Sequence, residues 1–282
     1  MSDRSIGGER AARLARRARG VAKSFSTEPA ETLRTLDLVP RLVDGLLFAE
    51  KWPEPNWKSG DPDSIDDRSH QLLEYFDSVE EGPGIWKWRH YFDIYERHLK
   101  KFVGRDVHVV EVGVYSGGSL RMWRQFFGAN CHMYGVDIEE SAKAYEDDAT
   151  RVFIGDQADR SFWKRFREEV PVVDVLVDDG GHLADQQIPT LEEMVPHLRP
   201  GGVYICEDVL GHLNPLTAYV SGLALRLNTY DGEDPSAHGL QASIDSVHFY
   251  PYVAVLEKAL ARVEGFRSEK HGTEWEPYIR PW

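Results

Sequence analysis

Cysteine is scarce: the 282 residues hold two, Cys131 and Cys206, both inside apolar strand-like runs. That excludes a disulfide framework and fits a reducing, cytoplasmic setting. No apolar run approaches the ~20 residues that a membrane span requires, so no transmembrane helix is expected. A secretory leader is not expected either, because the segment after Met1 is studded with arginine and lacks an apolar core of adequate length. Basic charge is in deficit, with 33 Lys and Arg against 47 Asp and Glu and a formal net charge of −14. A broad basic face for nucleic-acid backbone is thereby excluded. Internal repeats and low-complexity tracts are absent as well.

What is present is enough chain, 41% apolar, for one large domain or for one domain with an appendage. Residues 1–23 concentrate seven basic side chains, and apolar positions 11, 14, 15, 18, 21, 22 and 25 share one helical face. This predicts an amphipathic helix packed on its own protein or on a sister subunit, hence a homo-oligomer, with a membrane-surface or targeting helix as the alternative. Helical segments follow near 29–50 and 69–79, separated by the Pro- and Asp-rich stretch 51–69, which reads as a loop, and "GPGIWKWRHYFDIYERHLKKFVG" then opens with a turn and continues as a helix to about Phe102. From Val107 the texture changes to short apolar runs near 107–112, 132–136, 151–154, 173–178 and 202–207, alternating with helical stretches. That alternation predicts an α/β fold, a mostly parallel sheet with helices on both faces. "ASIDSVHFYPYVAVLEKA" adds an antiparallel C-terminal hairpin broken at Pro251. The expected division is a helical cap over 1–84 and a sheet domain over 85–282.

Chemistry gathers at the ends of these strands. The first leads into "VVEVGVYSGGSLRMW", a glycine turn that lets backbone amides approach a ligand at the positive end of a helix. The spacing is Glu111-x-Gly113-x-x-x-Gly117-Gly118 rather than the Gly-x-Gly-x-x-Gly of a pyrophosphate site, and an acid inside the strand suits a ligand carrying a positive amine. The second strand ends in Asp137, placed to accept the hydroxyls of a ribose. The third ends in Asp156 and Gln157, within reach of an adenine edge.

Taken in order, these strand ends resemble the S-adenosylmethionine site of class I methyltransferases, a Rossmann-like fold. The resemblance implies that Tyr115, Ser116 and Ser119 contact the methionine end of that cofactor and that Asp178 belongs to the same pocket. It also implies that the fourth and fifth strands are neighbours. "VDVLVDDGGH" and "ICEDV" would then bring Asp179 opposite Glu207 and Asp208. Three carboxylates so close repel one another unless a positive charge lies between them. All-oxygen ligation suits Mg²⁺, with Mn²⁺ or Ca²⁺ as alternatives. His182, in the loop leaving the same strand as Asp179, is the expected general base. His212 is a second candidate.

"EVGVYSGGS", "GDQAD", "DDGGH", "ICED" and "SVHFYPYVAVLEK" are similar, over about residues 85–260, to the metal-dependent sugar O-methyltransferases of macrolide biosynthesis and, more distantly, to cephalosporin hydroxylase-type proteins. By that likeness Asp179, Glu207 and Asp208 ligate the metal and Asp179 and His182 serve catalysis. Gly181 stands where a serine is expected in such relatives. The implied activity is methylation of a sugar hydroxyl on a small-molecule glycoside, with neither nucleic acid nor membrane as partner. A metal-dependent enzyme of another reaction class, or a non-catalytic cofactor-binding partner protein, are the alternatives.

Overall fold

The structure, a computed structural model, describes residues 19–53, 71–211, 213–230, 236–237 and 239–272. The chain forms two units, Met1–Asp66 and Asp67–Trp282. In the first, residues 19–27 are helical and a second helix runs Pro29–Ala49, opened by Pro29 at its first turn, where a missing N–H costs nothing. Residues 1–18, which carry most of the basic amphipathic segment, lie outside the described residues. No described helix is long and apolar enough to cross a membrane.

The second unit is built on a seven-stranded sheet of order β3-β2-β1-β4-β5-β7-β6. Its strands are β1 (Val107–Val112), β2 (Cys131–Asp137), β3 (Thr150–Ile154), β4 (Val173–Asp178), β5 (Leu198–Cys206), β6 (Ile244–Tyr250) and β7 (Val253–Lys258). The first five are mutually parallel, while β7 runs antiparallel to both β5 and β6. Continuous apolar sequence explains the interior: β4 is buried at every position, as a parallel strand covered on both faces must be. The same logic orders the hairpin. "VAVL" of β7 is buried throughout and takes the inner place beside β5, whereas β6, "IDSVHFY", is mixed and lies at the edge.

Helices α1 (Gln71–Ser78), α2 (Tyr91–Leu99) and α3 (Gly118–Phe127) cover one face; α4 (Arg160–Glu169), α5 (Ala184–Met194) and α6 (Pro215–Leu227) cover the other. Local signals set their starts. Asp159 accepts from the Ser161 amide at 2.8 Å to begin α4, and Asn214 caps α6 through Leu216 and Thr217, with Pro215 at the first helical position. The expected boundary at 84/85 does not coincide with the structural one at 66/67. Leu72 of α1 and Tyr91 of α2 are buried in the same cluster as Val109 and Trp123, so the sheet cannot close its core without them.

Chain order reverses between β1 and β4, which opens a crevice at the carboxyl ends of the strands. The candidate residues sit there.

Candidate active site

The glycine turn after β1 is forced by close packing. Gly113 has φ +90°, and a Cβ built on it would lie 2.1 Å from the Asp179 carbonyl oxygen. The turn of β1 and the end of β4 therefore touch backbone to backbone, tied by the Asp179 amide donating to Val112 O at 3.0 Å. Gly117, at φ +71°, starts α3 in the left-handed region, where a Cβ would strike the Tyr145 ring. Tyr115 (φ 46°) and Asp208 (φ 52°) hold the same region without being glycine, a strain that clusters at functional sites.

One cavity of about 990 Å³ runs along these strand ends. Gly113, Tyr115, Ser116, Ser119, Asp137, Asp156 and Gln157 line it toward the glycine turn, and Asp179, His182, Glu207 and Asp208 line it toward β4 and β5. Asp137 fixes the turn: its Oδ2 accepts from the Val114 and Tyr115 amides at 2.8 and 3.1 Å, and its Oδ1 accepts from Glu139 N at 2.9 Å. Asp156 is exposed and uses Oδ1 on the Ala158 amide. Ile138, which sequence alone did not single out, lines the cavity while 63% exposed, an apolar surface for a flat ring.

Four residues expected at the cofactor, Glu111, Asp178, Gln157 and Gly117, are engaged within the protein. Glu111 is fully buried, accepting from Ser119 Oγ at 2.7 Å and Trp123 Nε1 at 2.9 Å, so its charge serves the core rather than a ligand amine. Asp178 is buried and accepts from Gln157 Nε2 at 2.9 Å and Tyr204 OH at 3.0 Å; burial pushes its carboxyl up to about 7. It faces away from Asp179 because successive side chains of a strand alternate. Gln157 lines the cavity but its amide is spent within the protein, donating to Asp178 and Thr190 and accepting from Gly181 N at 2.5 Å. Gly117 shapes the turn without lining the cavity.

At the acidic end a residue absent from the sequence expectations takes the centre. Lys87 Nζ donates to Asp179 Oδ2 at 2.7 Å and to Glu207 Oε2 at 2.8 Å, and stands 3.7 Å from Glu111 Oε1. Burial alone would lower its pKa, but Glu207, Asp179 and Glu111 outweigh that and hold the ammonium well above its ordinary value. Tyr95 OH caps the other Glu207 oxygen at 2.6 Å; burial pushes the Glu207 carboxyl up while Lys87 works the other way. Asp208 Oδ1 accepts from Trp88 Nε1 at 3.1 Å and Tyr91 OH at 2.7 Å, and its Oδ2 is 3.7 Å from His182 Nε2. Asp179, His182 and Asp208 can offer three ligand atoms within 4.8 Å of one another. Glu207 is not part of that group. His212 lies outside the described residues.

Lys87, Trp88, Tyr91 and Tyr95 come from "WKWRHYFDIY", ahead of the first strand. The sequence carries a partial signal for them: Tyr91 and Tyr95 are four apart, on one helix face, and Lys87 alternates with two tryptophans. Nothing local says that this face meets β5, 112 to 120 residues on.

Comparison with known proteins agrees with this geometry. Residues 110–209 match the family model described as a methyltransferase domain. The chain is 30% identical over 203 residues to the 8-demethyl-8-alpha-L-rhamnosyl tetracenomycin-C 2'-O-methyltransferase of Streptomyces olivaceus, covering 64% of this chain and 53% of that protein. It is 32% identical over 161 residues to the mycinamicin VI 2''-O-methyltransferase of Micromonospora griseorubida, covering 54% and 38%. The chain thus spans about half, or less, of the length of these relatives. Among solved structures, the MycE methyltransferase of the mycinamycin biosynthetic pathway, in complex with Mg, SAH and mycinamycin VI, superposes with a TM-score of 0.55 at 28% identity, over 67% of this chain and 52% of that one. The strand order and the crevice at the β1–β4 reversal agree with these likenesses, and residues 110–209 are the part of the chain that matches a methyltransferase domain.

Proposed function

We propose that the chain is an S-adenosylmethionine-dependent O-methyltransferase acting, with a divalent cation, on a sugar hydroxyl of a glycosylated small molecule. The observation that carries this reading is the single cavity, with a glycine turn and two strand-end aspartates at one end and a His–carboxylate cluster at the other. Relatives that methylate rhamnosyl and mycinamicin substrates support the acceptor class.

The residues suit both groups. Gly113, Tyr115, Ser116 and Ser119 line the cavity at the start of α3, Asp137 and Asp156 would offer acceptors to a nucleoside's polar edges, and Ile138 offers an apolar face. The Asp179 and Asp208 carboxylates, which can bring oxygens within 4.8 Å of one another with no thiolate nearby, would hold Mg²⁺ or Mn²⁺ and leave the His182 imidazole for the proton. When bound, S-adenosylmethionine supplies an electrophilic methyl group and the cation supplies positive charge beside the acceptor oxygen. His182, whose Nε2 stands 3.7 Å from Asp208 Oδ2, takes the hydroxyl proton at Nε2. Asp179, anchored by Lys87 and by the β1 backbone, and Asp208, anchored by Trp88 and Tyr91, keep the acceptor end in register with the methyl donor.

The test is incubation with methyl-labelled S-adenosylmethionine, Mg²⁺ and a panel of glycosides, with and without EDTA. Label transfer that EDTA abolishes is expected. A metal-dependent product without label would indicate another reaction class, and cofactor binding with no product across the panel would indicate a non-catalytic protein.

A further inference from the structure

A second group of ligand-type side chains gathers where α2 crosses the β6–β7 hairpin. His98 in the last turn of α2, His248 of β6 and Glu257 of β7 each offer a donor atom, and the three atoms lie within 4.8 Å of one another. None of the three lines the cavity. His248 pairs with Val255 and Ser246 with Glu257 across the hairpin, so all four side chains share the face that α2 covers. His98 is 3% exposed, and its ring centroid is 4.7 Å from that of His248.

Each donor is committed on one side and free on the other. His98 Nε2 lies 2.8 Å from Tyr250 OH and His248 Nε2 2.9 Å from Ser246 Oγ, while Glu257 Oε2 accepts from Lys101 Nζ at 2.9 Å. These contacts leave Nδ1 of each imidazole and Oε1 of the carboxylate. His98 Nδ1 and Glu257 Oε1 already meet, joined by a proton.

We propose that His98, His248 and Glu257 form a Zn²⁺ site, separate from the active site, that fastens α2 to the β6–β7 hairpin. The site does not depend on the methyltransferase reading. Two imidazoles with one carboxylate are a zinc-type donor set, whereas a hard ion such as Mg²⁺ takes oxygen throughout. A tetrahedral ion with bonds of about 2.1 Å needs donors about 3.4 Å apart. Rotation of His248, which is only partly buried, closes the difference, and water completes the tetrahedron. Zinc takes the place of the proton between His98 Nδ1 and Glu257 Oε1, which passes to solvent. Tyr250, Ser246 and Lys101 then orient the three ligands from outside. His98 lies one turn beyond Tyr95 and two beyond Tyr91, whose hydroxyls hold Glu207 and Asp208, so the ion pins the helix that supports the acidic end of the cavity.

The probe is Zn²⁺ itself, buffered by a chelator and added to the full chain in excess Mg²⁺, with bound zinc read by equilibrium dialysis and stability by thermal unfolding. The wild type should bind at least one equivalent with micromolar or tighter affinity and melt at a higher temperature with zinc. His98→Gln, His248→Gln and Glu257→Gln should each weaken that equivalent by about tenfold or more. Ser246→Ala, which removes only an outer contact, should weaken it by about tenfold or more as well. His182→Ala and His132→Gln, which alter the other two His–carboxylate groups among the described residues, should leave it unchanged. Should His98→Gln fail to fold, His248→Gln, at the sheet edge, decides alone. Zinc affinity retained in His248→Gln, or lost in His182→Ala or His132→Gln instead, overturns the proposal, as does a wild-type chain that binds no zinc.

Discussion

Gly113→Ala probes the contact on which both ends of the cavity depend. The added Cβ would stand 2.1 Å from the Asp179 carbonyl oxygen, 2.7 Å from its carbon and 3.0 Å from Gly180 Cα, all backbone atoms that cannot rotate away. Overpacking of this kind costs about 1–3 kcal/mol. Holding a side chain at φ +90° adds about 1–2 kcal/mol. The expected loss is therefore about 2–5 kcal/mol, or about 4–20 °C in melting temperature for a unit of this size. Gly104→Ala is the matched control. Its φ is +75° but nothing lies within 4 Å of the new Cβ, so it should cost only the conformational part, about 1–2 kcal/mol. Relief of the clash must push the β1 turn from the β4 end, so binding of S-adenosylhomocysteine and of Mn²⁺ should both weaken in Gly113→Ala and neither in Gly104→Ala. Calorimetry and thermal unfolding on the two variants measure this. If Gly113→Ala melts with Gly104→Ala and binds both ligands as the wild type does, the close approach of β1 and β4 does not organise the site.

His182→Ala should lower kcat by ~10²- to 10⁴-fold, the usual share of a general base, while S-adenosylhomocysteine binding is retained; an unchanged rate would remove His182 from proton transfer. Asp137→Ala releases the amides of Val114, Tyr115 and Glu139 and should weaken S-adenosylhomocysteine by about tenfold or more, read by calorimetry. Far from the site, the hydrogen bond from His98, with Lys101 beside it, holds Glu257 down to about 2. Its folded value lies below its unfolded one, so the stability it contributes is present above about pH 4.5 and is lost as pH falls toward 2. Discounted for solvent exposure, Glu257→Gln should cost about 1–2 kcal/mol near neutral pH in urea unfolding, and the deficit should narrow below about pH 4.5; a deficit independent of pH would show that the charge is not what stabilises.

Sequence by itself determined the sheet. Each of the five parallel strands begins and ends within a few residues of its apolar run, because strands covered on both faces must be continuously apolar and helices between them must be amphipathic. It also located the polar strand ends, since Asp137, Asp156, Asp179, Glu207 and Asp208 each stand where an apolar run stops. Only the tertiary structure decided which of these polar groups face a ligand. Glu111 and Asp178 looked equivalent to their neighbours in one dimension, yet strand alternation and helix packing turn them into the core, where Ser119, Trp123, Gln157 and Tyr204 satisfy them. The positive charge demanded by three crowded carboxylates was legible as a need, and the sequence offered a metal as its answer. The fold places a lysine there as well, brought across 92 and 120 residues of chain to Asp179 and Glu207. Repulsion among the carboxylates can be read from the residues themselves. Which cation relieves it depends on helix α2 and the segment before it closing over β5, a long-range packing event that no local pattern records.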